Sequence, residues 1–103
     1  MSNRTAPRLA SFDASDYLDN EETIAEYLAV ALENPDQDAF MMAVRDVAKA
    51  RGIASVATKA GLGRESLYKT LQSGSKPRFD TVRRLLAALD VKLDVTSTRG
   101  RVK

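Results

Sequence analysis

Residues 55–74, SVATKAGLGRESLYKTLQSG, decide the fold. They read as a short helix, a glycine turn and a second short helix, over about 54–60 and 64–73. Val56 and Ala57 are apolar in the first helix, and Leu62 fills the turn. Leu67 and Leu71 stand four apart on the second helix, the spacing of a single face. Gly61 falls where the first helix must stop abruptly, and a residue without Cβ enters the left-handed region freely. With the leucines turned inward, the second helix sends Arg64, Glu65, Ser66 and Lys69 outward. This is the layout of a helix-turn-helix, whose second helix enters the DNA major groove and reads bases with its N-terminal residues. A plain helical hairpin is the alternative, opposed by the tight Gly61, Leu62, Gly63 turn and the basic surface around it.

Outward from this unit, helical signals repeat. Asp19 or Asn20 can cap a helix over about 21–33, with Glu21 and Glu22 in its first turn and Ile24, Tyr27, Leu28, Ala31 and Leu32 as its apolar face. Asn34 as cap and Pro35 at the first helical position start a second helix, which runs to Arg51 and ends at Gly52. Its apolar positions are Phe40, Val44, Val47 and Ala48. A fifth helix is expected over about 80–90, with Asp80 or Thr81 at its start and Val82, Leu85, Leu86 and Leu89 facing the core. Beyond Asp90 the period falls to two, since Val91, Leu93 and Val95 alternate with Lys92 and Asp94. That pattern predicts a strand at 91–96, which must find a partner to satisfy its backbone, for instance its copy in a homodimer. Residues 1–11 are expected to be a disordered tail and 97–103 a basic one. The fold class expected is all-α, five helices with a short C-terminal β-strand, in one domain over 12–96.

Composition narrows the function classes. The chain of 103 residues has neither cysteine nor histidine, so disulfides, thiolate chemistry and the commonest general base and zinc ligand are absent. No nucleophile sits in a recognisable catalytic setting, and no glycine motif for phosphate occurs; the chain is not expected to be an enzyme or to carry a cofactor. Asp13, Asp16 and Asp19 recur every third residue, which is not the ligand spacing of a calcium loop, so no metal is expected either. Without a long apolar run or a signal-peptide core, cytoplasmic residence is expected and a membrane partner is not.

The net charge of +2 conceals a strong polarity. Residues 12–46 hold Asp13, Asp16, Asp19, Glu21, Glu22, Glu26, Glu33, Asp36, Asp38 and Asp46 against the single base Arg45, whereas most of the lysines and arginines lie in 47–103. Two different partners are expected, one polyanionic and one basic. On duplex DNA, Arg64, Glu65, Ser66 and Lys69 are the candidates for base contacts, because arginine can grip guanine bidentately and glutamate can accept from cytosine. Ser55, Thr58, Lys59, Tyr68, Lys76 and Arg78 are the candidates for phosphate contacts, which set register without carrying sequence information. Arg83 and Arg84 are expected on a solvated face.

The chain as a whole resembles a known family. FDASDYL (12–18), EETIAEYL (21–28), AVRDVAKARG (43–52), SVATKAGLGRESLYKTL (55–71) and KPRFDTVRRLLAALDVKL (76–93) are similar to the HigA-like addiction-module antidote proteins. The central unit resembles the lambda-repressor-like helix-turn-helix class, down to the SVA opening and the G-x-G turn. The resemblance covers about four-fifths of the chain. It implies the antitoxin of a type II toxin–antitoxin pair, which silences a small RelE/ParE-like toxin and represses the shared operon. On that footing Asp13, Asp16, Tyr17, Leu18, Asp19, Glu21, Glu22 and Glu26 are the candidates for toxin binding. The alternative is a stand-alone helix-turn-helix repressor, which leaves the acidic segment without a role.

Overall fold

Asn20 opens the described structure, its side chain accepting a hydrogen bond from the Thr23 backbone N–H at 2.8 Å. That bond satisfies a donor the first helical turn would otherwise leave free. The computed structural model describes residues 20–99. They form α1 (Glu21–Leu32), α2 (Gln37–Arg51), α3 (Ile53–Ala60), α4 (Arg64–Thr70) and α5 (Phe79–Ala88). The expected tail at 1–11, the anchors Phe12, Tyr17 and Leu18, the acids Asp13, Asp16 and Asp19, and residues 100–103 lie outside the described residues.

α1 packs against α2, α2 against α3, and α3 against both α4 and α5. The shared core takes Ile24 and Leu28 from α1, Met41, Val44 and Val47 from α2, Val56 from α3, Leu67 from α4, and Leu85 and Leu86 from α5, with Leu71 and Leu89 just beyond the ends of α4 and α5. The apolar stripes read from the sequence are therefore buried or, at Tyr27, Ala31, Phe40 and Val82, half-buried against the core, with one departure. Leu32 is 50% exposed, because it ends α1 where the chain turns away.

The start of α2 is a correction. Asn34 does not cap it; its side chain accepts from the Asp36 N–H at 2.8 Å, closing a local turn through Pro35. Asp36 then caps the helix, accepting from Asp38 N–H at 3.0 Å, so α2 begins at Gln37. α5 likewise begins earlier than Asp80, with Arg78 at its N-cap and no side-chain cap bond. α4 ends at Thr70, and residues 71–74 are turn.

The C-terminal ends of α3 and α5 rest on left-handed residues. Gly61 has φ 72°, and around it the N–H groups of Gly61 and Leu62 reach the carbonyls of Thr58 and Ala57 at 3.1 and 2.9 Å. This bond pair is a Schellman motif, which stops α3 within one residue. α5 closes with the same bonds, Asp90 N–H to Ala87 at 3.0 Å and Val91 N–H to Leu86 at 3.0 Å, but here the left-handed residue is Asp90 at φ 64°. An L-residue is strained there and glycine is not. Asp90→Gly is accordingly expected to raise stability by about 0.5–1 kcal/mol, read as a higher urea midpoint at unchanged m-value.

The strand expected at 91–96 is not formed among the described residues: 91–97 carry no strand pairing. After Val91, which packs on the core, Lys92, Leu93 and Asp94 pass alongside Ala25, Ala29 and Leu32 of α1. A helix spends its backbone groups internally and offers no ladder, so the period-two pattern has nothing to pair with inside one chain.

Candidate functional site

An exposed basic surface lies on α4. Leu67 is fully buried, and helical geometry then fixes what faces away from it. Glu65 and Lys69 stand opposite Leu67, Arg64 and Tyr68 on one flank, Ser66 on the other. All five are exposed, Tyr68 at 48%. On α3, Val56, Ala57 and Ala60 are buried, which turns Ser55, Thr58 and Lys59 to the surface as a single i, i+3, i+4 stripe. Lys76 and Arg78 are exposed in the segment leading to α5. Of the ten residues expected to meet DNA, the structure thus presents all on the surface, but Glu65 and Lys69 form no ion pair with each other among the described residues.

Two arginines hold this unit from outside. Arg84 of α5 donates from Nη2 to the Gly61 carbonyl at 3.0 Å, and Arg45 of α2 donates from Nη1 to the Leu71 carbonyl at 3.4 Å. Each cation meets carbonyls at the C-terminal end of a short helix, where the helix dipole is negative. Arg84 therefore acts on the turn, beyond the solvated role expected of it. Neither bond leaves a sequence signature, because both cross between elements far apart along the chain.

A second surface lies between α1 and α2. A groove of about 630 Å³ is floored by Val30, Ala31, Ala39, Met42 and Ala43 and edged by Glu26, Tyr27 and Asp46. Val30 is 70% exposed and Met42 47%. At one edge the Tyr27 hydroxyl donates to Asp46 Oδ2 at 2.7 Å, tying the two helices together. Burial, then the hydrogen bond and the negative charge of Asp46, push the Tyr27 hydroxyl from 10.0 up to about 12. The folded state therefore favours the protonated phenol. Its stabilisation is complete below pH 10 and is lost as pH rises from 10 towards 12. Tyr27→Phe is expected to lower stability at pH 7 by about 1 kcal/mol, and to narrow its deficit against the wild type across that alkaline window, as measured by urea unfolding at pH 8 and pH 11.

Residues 8–97 match the model of a family described as "Probable addiction module antidote protein". The chain belongs to this family. A protein of Haemophilus influenzae, described only as uncharacterized, is 35% identical over 92 residues, covering 89% of this chain and 95% of its own. No solved structure matches. Membership supports an antitoxin role and, with it, a toxin as partner in general. No described helix is long and apolar enough to cross a membrane.

Seen as an antidote, the chain sorts its acidic residues unevenly. Glu22 and Glu26 are exposed on neighbouring positions of one face of α1, and Glu26 edges the groove. Glu21 points elsewhere, its carboxylate 4.0 Å from the Arg51 guanidinium at the far end of α2. Asp13, Asp16, Tyr17, Leu18 and Asp19 lie outside the described residues. Sequence reading passed over Val30 and Met42, and counted Asp46 among the acids without placing it at a site. The available signal was an apolar residue, Val30, on the side of α1 that its buried stripe leaves to solvent.

Proposed function

We propose that this chain is the antitoxin of a type II toxin–antitoxin module, cytoplasmic and not an enzyme, which neutralises a basic RelE/ParE-like toxin and represses its own operon as a homodimer. The observation that carries the DNA half is the face of α4, where Arg64, Glu65 and Lys69 project from a helix whose Leu67 is fully buried, beside the polar stripe of α3. A helix anchored in this way presents a rigid edge to the major groove, as a lambda-repressor-like helix-turn-helix does. The polar groups of α3 and the loop cations Lys76 and Arg78 supply phosphate contacts. One such unit makes few contacts, so a two-fold dimer reading a palindromic operator, with half-sites about 34 Å apart, supplies the specificity. The toxin half rests on the family and on the acidic surface of α1 and α2.

The test is purification with the protein encoded by the adjacent reading frame, followed by a DNA-shift assay on the upstream region across a salt series. A stable complex and a salt slope of about 0.9 per phosphate neutralised are expected. A DNA complex insensitive to salt would remove the DNA half, and a protein that binds DNA but never its neighbour's product would be a stand-alone repressor.

A further inference from the structure

Among the described residues, one open seam runs between α1 and α2. α1 buries Ile24 and Leu28 in the core, yet also exposes Val30 beside Met42 of α2. A helix apolar on a second face has a second partner. We infer that the α1–α2 groove seats a basic amphipathic helix of the toxin, laid along α1 and α2 as a third helix. This rests on the antitoxin reading and locates its contact.

Charge chooses the occupant. Glu26 and Asp46 edge the groove, and Glu22 continues the first rim along α1. Arg45, also on α2, is turned to the Leu71 carbonyl on another side of the helix. A second copy meeting this seam about a two-fold axis would bring the same acids to it, whereas a basic helix neutralises them. Apolar anchors of that helix fill the floor over Val30, Ala39 and Met42, and methionine adapts to their shape. The Tyr27–Asp46 bond fixes the spacing of the two walls before the partner arrives.

The placement also separates the two binding events. On α2, Ala39, Met42, Ala43 and Asp46 line the groove, while Arg45 and Lys49 line a different hollow with Tyr68, Leu71 and Gln72. At 3.6 residues per turn these sets lie about a quarter-turn apart. A helix seated in the groove therefore does not itself cover the outer face of α4.

The test uses the full chain and the protein encoded by the adjacent reading frame. Val30→Lys and Met42→Lys together are expected to weaken that complex by at least about 100-fold, as two lost hot-spot contacts would. DNA affinity of the free chain should stay within about twofold, as both positions are remote from the α4 face. Wild-type-like toxin affinity in the double variant would overturn the assignment. Amide hydrogen exchange on the wild-type complex gives an independent reading: slowed exchange at 26–31 and 39–46, opposite a basic helix of the partner, is expected. No slowing there, or protection by an acidic or neutral segment, would overturn it without variants. If the wild-type chain fails to bind the neighbouring product at all, the antitoxin reading falls first.

Discussion

Leu67→Ala is expected to abolish operator binding while leaving every candidate DNA contact in place. Leu67 is fully buried among the core side chains, and α4 has only seven residues, too few to hold itself as a helix. Truncation removes the anchor and leaves a cavity, a change that costs roughly 2–5 kcal/mol in well-packed cores. For a domain of this size, each 1 kcal/mol moves the midpoint by about 4–8 °C. The melt followed by circular dichroism should therefore fall by on the order of 15 °C. DNA binding should be lost even below that midpoint, since the exposed face has no fixed orientation once α4 frays. A variant that melts like the wild type, or that still shifts the operator, would show that α4 is not held by the core.

Arg64→Ala should do the opposite. Its side chain is exposed, so stability should change by less than about 0.5 kcal/mol. Loss of one bidentate contact to guanine corresponds to about 1–3 kcal/mol of discrimination. Operator affinity should therefore fall by about 10- to 100-fold while affinity for unrelated DNA falls much less. Lys59→Ala, on the α3 stripe, provides the contrast: binding to both DNAs should weaken together, and the salt slope should drop by about 0.9. Competition assays with base-substituted operators separate these outcomes. Should Arg64→Ala weaken all DNA alike, the base-reading role moves to Glu65 or Lys69.

These two residues differ only in which way one short helix faces, and both directions were readable from spacing alone. Leu67 and Leu71 mark the inner line, and Arg64, Glu65, Ser66 and Lys69 follow as the outer one. The stops were equally plain, because Gly52 and Gly61 occupy positive φ where other residues are strained. The start of α2 was misplaced, since two cap-forming residues, Asn34 and Asp36, stand two apart, and the one that caps depends on how the turn closes. The strand pattern at 91–95 was not realised: only Val91 packs on the core, Leu93 and Val95 are exposed, and alternation along the chain supplies no hydrogen-bond partner.

By itself, then, the chain settles five helical segments, the two glycine stops and the inward and outward faces of α4, all of which depend on residues within one or two turns of each other. Kinship with addiction-module antidote proteins was legible too, being a property of the chain's order. The arginine bonds from α2 and α5 to the ends of the short helices arise only from tertiary structure, because their partners lie 26 and 23 residues away. So does the groove of Val30 and Met42. Each is an ordinary apolar residue on its own helix, and only packing α1 against α2 decides that they are left uncovered side by side.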